Sequence, residues 1–376
     1  MTEKSKTREE AGEYSLTGEN AELSEAEKKK KRQSRIIWIV IFVIVNGAVI
    51  TYTALDEFSG TRPKLGYKFE LSNWMFILAG FGCMLLALAM ETVKYLSMMK
   101  DLGEKVSFKV AFETAALGRY YDCITPSGAG GQPFQIYHMH KNGYSNGASA
   151  AMPLATFLFM QLAFVFLAIL VFIFQGDVVD TLAIRLPAYI GAVCYSIIPF
   201  IIILSAFSEK TAQAIVFFFI RIGGKLHLVK NVDAKIESLK GTLDDYCTNL
   251  RMIAKKKSLL IKLSLFSLVY QVAMCSIPFF VLHAYKGTGS FIHILAQTVF
   301  IYCAITIIPT PGNAGAAEGS FYLIFSQLDY SGLFWGMLIW RFICYYSFII
   351  LGIGIYGFNA LKDYLKRRKE RKASDP

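Results

Sequence analysis

The sequence predicts an all-α polytopic membrane protein, with about six full spans and two re-entrant helical hairpins arranged as an inverted-topology repeat. Hydrophobic residues make up 54% of the 376-residue chain, and several apolar runs reach the ~20 residues that cross a bilayer as a helix. Two stretches rich in glycine and proline, 125–143 and 310–320, interrupt the apolar sequence. This composition argues against an ordinary soluble globular enzyme.

The chain carries a formal net charge of +11, and basic clusters flank the apolar region. KKKKRQSR (28–35) precedes the first apolar run, and KDYLKRRKERK (362–372) follows the last. Basic residues beside spans face the cytoplasm and attract anionic lipid. We therefore expect both termini to be cytoplasmic and no nucleic-acid partner. Residues 1–35 and 361–376 are predicted to be basic cytoplasmic tails, the first of them disordered.

Six apolar segments are predicted to cross the membrane as helices: 36–55, 72–98, 146–175, 183–206, 257–285 and 332–358. A basic segment, 207–256, separates the fourth from the fifth, and its apolar residues recur at alternating spacings of four and three. That period is typical of an amphipathic helix. We expect this linker to lie on the cytoplasmic surface of the bilayer or to pack on the helix bundle.

The parity of the crossings indicates how the glycine-rich stretches are accommodated. With both termini inside, region 100–145 enters and leaves the membrane on the cytoplasmic side, and region 290–330 does so on the outer side. Each region is best explained by a re-entrant hairpin whose turn holds the Gly/Pro motif. A variant with eight crossings stays open, because segment 315–329 crosses the bilayer if it tilts or the bilayer thins.

The hairpins give both halves of the predicted transmembrane domain (36–360) the same order of elements. The first half, 36–175, and the second half, 183–358, each contain span, span, hairpin and span, and they start on opposite sides. Transporters with such repeats bind substrates near the bilayer midplane at broken helices. Broken backbone is tolerated there only against protein or a wet cavity. The paired breaks therefore predict a central binding site.

The candidate substrate-binding residues come from both breaks and the last span. Glycine permits positive φ and close backbone approach, and the start of a half-helix offers N–H groups to an anion. Charged side chains within apolar segments are functional by default. The candidates are Arg119, Gly128, Gly130, Gly131 and Gln132 in the first break, Gly312, Asn313, Gly315 and Glu318 in the second, and Arg341 in the last span.

The charged candidates have alternative pairings. Glu318 closes an ion pair with Arg119 or Arg341, binds a cationic headgroup, or carries protons. Arg119 either contributes to the site or only holds its turn, paired with Asp122 or with backbone carbonyls. If Glu318 meets both arginines, three segments converge on one central site.

Other polar groups in the apolar segments give weaker signals. Glu91 and Lys94 lie near the inner end of their span and are expected to snorkel toward the interface. Glu113 is interpreted as part of the hairpin scaffold. Gln161 and Gln271 are interpreted as interhelical hydrogen-bond donors.

Some patterns suggest catalysis or metal binding, but they lack the surrounding structure or the spacing that these functions require. GYSNG (143–147) matches GxSxG, but a loop leads from it into a span instead of the strand–turn–helix of a nucleophile elbow. His138 and His140 would face different directions on a helix, unlike zinc ligands at i and i+4. The seven cysteines contain no CxxC pair. We predict no catalytic residue, no metal and no cofactor.

The motifs GRYYDCITPSGAGGQPFQIYHMHKNG (118–143), TPGNAGAAEGSF (310–321) and WRFICYY (340–346) resemble the lysylphosphatidylglycerol synthase transmembrane (flippase-like) family, the membrane domain of MprF-type multiple peptide resistance factors. The resemblance covers roughly residues 36–360. Full-length members continue into a soluble acyltransferase-like domain that moves lysine from lysyl-tRNA onto phosphatidylglycerol. This sequence ends at Pro376 with a basic tail, so we expect no catalysis by this chain alone.

The resemblance implies a phospholipid flippase of the bacterial cell membrane that moves an anionic or aminoacylated lipid, such as lysylphosphatidylglycerol, between leaflets. Its partner would be membrane phospholipid, and a separate lipid aminoacyltransferase is a further candidate. An oligomer is compatible with the sequence. The alternative is a phosphatidylglycerol lysyltransferase, or its membrane subunit, that contributes to resistance against cationic antimicrobial peptides.

Overall fold

The computed structural model describes most of the chain from Leu71 to Ser374. The described ranges are 71–125, 130–179, 182–207, 247–306, 312–326 and 332–374, with isolated positions at 128, 308, 310 and between 210 and 221. The N-terminal tail, the predicted first span 36–55 and most of the predicted linker 207–256 lie outside the described residues. Within the described ranges all regular structure is helical and no strand occurs.

The helices are numbered here in chain order. They are α1 Leu71–Asp101, α2 Phe108–Ile124, α3 Gly131–Lys141, α4 Asn146–Phe174, α5 Leu182–Phe207, α6 Lys257–Ala284, α7 Phe291–Ile305, α8 Ala316–Phe325, α9 Leu333–Arg341 and α10 Ser347–Ser374, with a π-helical turn, Phe342–Tyr346, between α9 and α10.

Five helical segments in the described part of the chain are long and apolar enough to cross a membrane. They are Asn73–Asp101 in α1, Asn146–Phe174 in α4, Leu182–Leu204 in α5, Lys257–Ala284 in α6, and Leu333–Lys362, which α9, the π-helical turn and α10 form together. These segments match five of the six predicted spans, so the all-α polytopic fold class is confirmed. The side of the membrane that each end faces stays a prediction.

Helices α1 and α6 form the most extensive helix pair among the described elements. Gly80 of α1 lies against α6, since a Cβ on it would be 3.8 Å from both Ile277 and Val281. Near one end of the pair, the Asn73 side-chain amide donates to the Ala284 carbonyl. These two helices hold the second position in each predicted half. The central pair therefore joins one half to the other.

Helices α2 and α3 form an antiparallel hairpin. Gln135 of α3 lies against Gly118 of α2, where a Cβ would be 2.1 Å from Gln135 Nε2. The same amide donates to the Thr114 carbonyl at 3.3 Å. Helix α2 ends because Thr125 is extended, as a residue before proline usually is. The chain thus contains the first predicted hairpin, and its side of entry into the membrane stays a prediction.

Helices α7 and α8 are separated by a turn that requires positive φ. Gly312, Asn313 and Gly315 have φ of 56°, 55° and 85°, which glycine adopts freely and asparagine tolerates. Helix α8 has 10 residues and is about 15 Å long, half of a ~30 Å hydrocarbon core. This length favours the hairpin over the variant with eight crossings. Gly191 lets α5 pack closely on α7, since a Cβ there would lie 1.9 Å from the Cys303 carbonyl oxygen.

Side-chain hydrogen bonds tie the hairpins and spans together. Gln271 Nε2 donates to the Met160 carbonyl at 3.0 Å, which confirms its predicted interhelical role. Glu113 accepts from Asn359 Nδ2 at 3.0 Å and lies 3.6 Å from His138 Nε2. Glu113 therefore links α2 to both α3 and α10, as a scaffold residue of the hairpin should.

The described end of the linker, residues 247–255, is helical. Leu250 and Ile253, which belong to its predicted apolar face, are buried. Lys256 Nζ donates to the Asp101 carbonyl at the end of α1. This part of the linker therefore packs on the bundle, one of the two placements that the sequence predicts.

Candidate substrate-binding site

The first break is held by a carboxylate of the protein itself. Asp122 Oδ1 accepts a hydrogen bond from the Gly131 N–H at the start of α3, at 2.9 Å. Its other oxygen, Oδ2, lies 3.3 Å from Arg119 Nη1. A carboxylate at a helix N-terminus satisfies a backbone donor and interacts favourably with the helix dipole. The N–H group that we expected to receive a substrate anion therefore holds Asp122.

Arg119 is only partly satisfied by this pairing. Its Nε is buried and has no hydrogen-bond partner among the described residues. The side chain as a whole is 28% exposed, and its guanidinium lies 5.5 Å from the ring centroid of Phe348. A cation in the interior of the bundle thus keeps free donor capacity and an accessible side.

The second break contains the same kind of carboxylate–arginine pair, but here the pair is buried. Glu318 Oε2 accepts from the Gly315 N–H at the start of α8, at 2.7 Å. Its Oε1 accepts from Arg341 Nε at 2.5 Å, and Arg341 Nη2 donates to the Gly312 carbonyl at 3.3 Å. The side chains of Arg341 and Glu318 are only 7% and 3% exposed. Of the two pairings that the sequence allows for Glu318, the fold forms the one with Arg341.

Tyr345 connects the two breaks. Its hydroxyl donates to the Cys123 carbonyl in the last turn of α2, at 3.0 Å. Its ring lies 4.5 Å from the Arg341 guanidinium and fills the space beside Gly312, where a Cβ would lie 2.0 Å from the ring. The two breaks therefore adjoin one another, although no Arg119–Glu318 ion pair forms among the described residues.

A family model described as "Lysylphosphatidylglycerol synthase TM region" matches residues 37–352. The chain belongs to this family. It is also similar to a UPF0104 membrane protein of Archaeoglobus fulgidus, with 22% identity over 340 residues that cover 87% of this chain and 97% of that protein. The resemblance stated from the motifs is therefore confirmed. Membership and the five apolar spans identify a multi-pass membrane protein, and a lipid-related role fits the family.

The glycines of the first break serve two different purposes. Gly128 has φ of 63°, as its proposed turn role requires. Gly130 has φ of −86°, so positive φ is not its reason for being glycine. A Cβ on Gly130 would lie 2.5 Å from Thr125 Cγ2, and one on Gly131 would lie 2.2 Å from Asp122 Oδ1. These two glycines allow the turn to close on its own side chains.

The remaining candidates lie where the sequence predicts but differ in their contacts. Gln132 is half-buried in the first turn of α3. The Asn313 N–H donates to the Thr310 carbonyl, and its own carbonyl accepts from the Ala317 N–H, so its backbone continues into α8. Substrate contact by these residues stays a prediction. Among the described residues no three His, Cys, Asp or Glu side chains converge as metal ligands would.

Sequence reasoning missed the buried pair Glu91 and Lys94. The snorkelling prediction is wrong, because Lys94 is 0% and Glu91 4% exposed. Lys94 Nζ lies 2.8 Å from Glu91 Oε2 and donates to Ser267 Oγ at 3.2 Å. Helix α6 covers this face of α1 and supplies that partner. The i,i+3 spacing of an acid and a base on one helix face was the signal that could have indicated the pair.

Proposed function

We propose that this protein is a phospholipid transporter that moves an anionic or aminoacylated lipid, such as lysylphosphatidylglycerol, between the leaflets of a bacterial cell membrane, with both termini cytoplasmic. The observation that supports this most strongly is Arg119, a cation inside the bundle with a partly accessible side chain and a buried Nε that has no hydrogen-bond partner among the described residues. Charged side chains within membrane segments are costly and are usually paired, and the ion pair with Asp122 leaves one buried donor of Arg119 unused among the described residues. A ligand with negative charge offsets that cost.

A lipid phosphate suits the open side of Arg119. Guanidinium groups bind phosphate oxygens with two parallel N–H···O hydrogen bonds, and Arg119 at present donates to one carboxylate oxygen at 3.3 Å. In this proposal Asp122 holds the arginine when no lipid is bound. The arriving phosphate then shares or replaces that contact while Asp122 keeps the Gly131 N–H. The headgroup is thereby bound at the break between two half-helices.

Arg341 and Glu318 have a different part in this proposal. Their ion pair is nearly fully buried and fixes both the Gly312 carbonyl and the start of α8. A phosphate would have to break this pair in order to reach Arg341. We therefore assign to them the support of the second turn, and to Arg119 the direct contact with the headgroup.

The test is translocation in proteoliposomes with fluorescently labelled phosphatidylglycerol, lysylphosphatidylglycerol and phosphatidylcholine. Arg119→Gln is expected to lower the translocation rate of at least one phosphate-bearing lipid tenfold or more. Arg119→Lys should retain part of the original rate, because lysine keeps the positive charge but not the planar guanidinium that binds phosphate with two hydrogen bonds. The readout is the fraction of labelled lipid that an impermeant quencher reaches with time.

The chain provides a matched control for this experiment. Arg185 is 31% exposed and also lies 3.3 Å from a carboxylate, that of Asp177, but it lies near the start of α5. Arg185→Gln should leave the translocation rate unchanged at equal protein incorporation. An unchanged rate in Arg119→Gln, or an equal loss in Arg185→Gln, would refute the proposed role of Arg119.

The family description favours one other candidate, a phosphatidylglycerol lysyltransferase or its membrane subunit. Transfer of labelled lysine from lysyl-tRNA to phosphatidylglycerol by the purified chain would replace our proposal with an enzyme. Transfer only when a separate lipid aminoacyltransferase is added would identify a partner that supplies the aminoacylated lipid. In either case, a cationic lipid at the outer surface of the membrane would contribute to resistance against cationic antimicrobial peptides.

A further inference from the structure

The buried pair of Glu91 and Lys94 has no part in the proposed binding of the headgroup. Lys94 is 0% and Glu91 4% exposed, and Lys94 lies seven residues before α1 ends at Asp101, which is about 10 Å along a helix. The lysine is therefore covered by protein and does not reach the interface. Ionisable side chains inside membrane segments are costly and usually serve a function. The pair is thus a candidate for a function that Arg119 does not supply.

The contacts of Lys94 cross the junction between the two predicted halves. Its Nζ lies 2.8 Å from Glu91 Oε2 on α1 and donates to Ser267 Oγ on α6 at 3.2 Å. The same Nζ lies 5.7 Å from the centroid of the Tyr270 ring, also on α6, within the range of a cation–π contact. Transporters with inverted repeats work by rocking one repeat against the other. Such a movement changes the contacts of Lys94 with α6, while Glu91 stays beside it on α1.

Glu91 is held by fewer donors than the two carboxylates of the hairpin turns. Asp122 and Glu318 each accept a backbone N–H in addition to an arginine, whereas Lys94 is the sole partner of Glu91 among the described residues. Because hydrogen bonds to the charged form of a carboxylate favour that form, Glu91 has fewer of them to lose when it takes up a proton. A buried ion pair also contributes little net stability compared with apolar side chains of the same size. These contacts favour a carboxylate that changes its protonation state.

The elements packed on α1 bring no further charge to this pair within the described part of the chain. Helix α4 and the π-helical turn contain no Asp, Glu, Lys or Arg. The α2 residues Arg119 and Asp122 pair with each other, and α6 presents the uncharged ring of Tyr270 to Lys94. Uptake of a proton by Glu91 therefore changes the net charge of the pair from zero to +1, with no third group at ion-pair distance to compensate it.

We infer that Glu91 and Lys94 form a proton-binding site, and that Glu91 takes up and releases one proton each time a lipid moves between the leaflets. This inference rests on the proposed function and adds its energy source, a proton gradient. A proton from one side of the membrane binds to Glu91 Oε2 and forms a carboxylic acid, while Lys94 stays an ammonium held by Ser267 and Tyr270. After the halves have moved, the acid loses that proton to the other side and the ion pair forms again.

The experiment uses proteoliposomes of the full chain that contain a pH-sensitive dye in a weakly buffered lumen. Fluorescent short-chain phosphatidylglycerol is added outside, and an impermeant quencher measures the fraction that has moved to the inner leaflet. We expect the translocation rate to differ at least threefold between an inward and an outward proton gradient. Without an imposed gradient, the lumen pH should change in proportion to the lipid moved. Protein-free vesicles measure the background, and an ionophore that dissipates the gradient should remove the difference in rate.

Two variants assign the proton to this pair. Glu91→Gln keeps the size of the side chain but cannot carry a proton, so it should move lipid at equal rates in both gradients and without a change of lumen pH. The double variant Glu91→Gln, Lys94→Met leaves no stranded charge and should behave in the same way. It replaces the single variant if the latter melts early in detergent. The matched control is Asp101→Asn on the same helix, whose carboxylate is 29% exposed and 4.0 Å from Lys256. This variant should keep the full response to the gradient.

The outcomes separate this inference from the proposed function. If the unmodified chain moves lipid equally fast in both gradients and the lumen pH stays constant, the inference falls and the proposed function stands. A folded double variant that keeps its response to the gradient would also overturn the inference, because the proton would bind elsewhere. A folded double variant that moves no lipid would overturn it as well, since the pair would then be needed for the movement itself. Absence of lipid movement by the unmodified chain in every gradient, by contrast, contradicts the proposed function.

Discussion

The two hairpin turns share the same arrangement of a carboxylate, a backbone N–H and an arginine, but they differ in how far the arginine is buried. In each, a carboxylate accepts the N–H of a glycine at the start of the returning helix with one oxygen and an arginine with the other. In the first turn the acid and the arginine both come from α2, three residues apart. In the second, the arginine comes from the last span. The first turn is therefore self-contained, and the second is clamped by another segment.

That difference explains why the side chain of Arg119 is partly exposed while that of Arg341 is buried. Arg341 reaches Glu318 from outside the hairpin and is covered by the Tyr345 ring, so its side chain is only 7% exposed. Arg119 lies beside its acid on the same helix and keeps 28% exposure, and its buried Nε has no hydrogen-bond partner in the described part of the chain. A cation inside a membrane protein is therefore a binding candidate when its donors are incompletely used, and depth alone does not decide its role.

The largest expected effect is all-or-none and concerns whether the two turns approach from opposite leaflets. In a cysteine-free background, Asn142→Cys should react only with reagents on the cytoplasmic side, and Gly289→Cys only with external ones. Both residues are exposed: Asn142 directly follows α3, and Gly289 lies in the loop between α6 and α7. Position 231, outside the described residues, should behave like 142. External labelling at 142 would remove the inverted repeat, and the comparison of the turns would lose its symmetry.

The next effect separates the two ion pairs by stability. Removing one partner of a buried pair strands the other and costs about 3–5 kcal/mol, so Glu318→Gln or Arg341→Gln should each destabilise strongly. Their double variant should be less destabilised than the sum, with a coupling of about 0.5–3 kcal/mol. The measurement is the free energy of unfolding in mixed-detergent titrations.

The corresponding cycle at the first turn is the control for this prediction. Asp122→Asn and Arg119→Gln should show a smaller coupling than Glu318 and Arg341, because their pair is more exposed and its N···O distance is longer, 3.3 Å against 2.5 Å, while translocation falls. Coupling of Glu318 and Arg341 in transport with unchanged stability would instead put that pair in the substrate path. A larger coupling at Asp122–Arg119 would reverse the roles that we assign to the turns.

The smallest effect comes from two glycines with similar backbone angles. Gly312 and Gly128 have φ of 56° and 63°, so alanine should cost each about 1–2 kcal/mol in backbone strain. At Gly312 the new Cβ also meets the Tyr345 ring at 2.0 Å, whereas at Gly128 the nearest atoms, on Asp122, would lie 3.8 Å away. Gly312→Ala should therefore be about 1–3 kcal/mol less stable than Gly128→Ala, the usual cost of overpacking.

Equal stability of these two variants in thermal unfolding would contradict the closed packing of the second turn. If neither variant accumulates in the membrane, the glycines are structural in both turns. Only the double-mutant cycles of the two ion pairs would then test the difference between the turns.

The spans could be predicted because hydropathy and helix length are local properties of the chain. Five of the six predicted spans agree with described helices to within a few residues at each end. The breaks were also predictable, since Gly312, Asn313 and Gly315 carry the residue types that positive φ favours. The ion-pair partner of Glu318 was not predictable. Two arginines, Arg119 and Arg341, are candidates, and no local sequence feature distinguishes between them.

The sequence by itself determined that this is a helical membrane protein, where its helices break, and which charges lie among apolar residues. Only the tertiary structure decided which of those charges are satisfied. The packing of α6 on α1 turned Glu91 and Lys94 into a buried pair, and the last span brought Arg341 to Glu318. Arg119 kept its open side because no other segment in the described part of the chain supplies it with a second carboxylate. The physical reason is that an ion pair depends on distances of a few ångströms between segments far apart in sequence, and only the packed fold sets those distances.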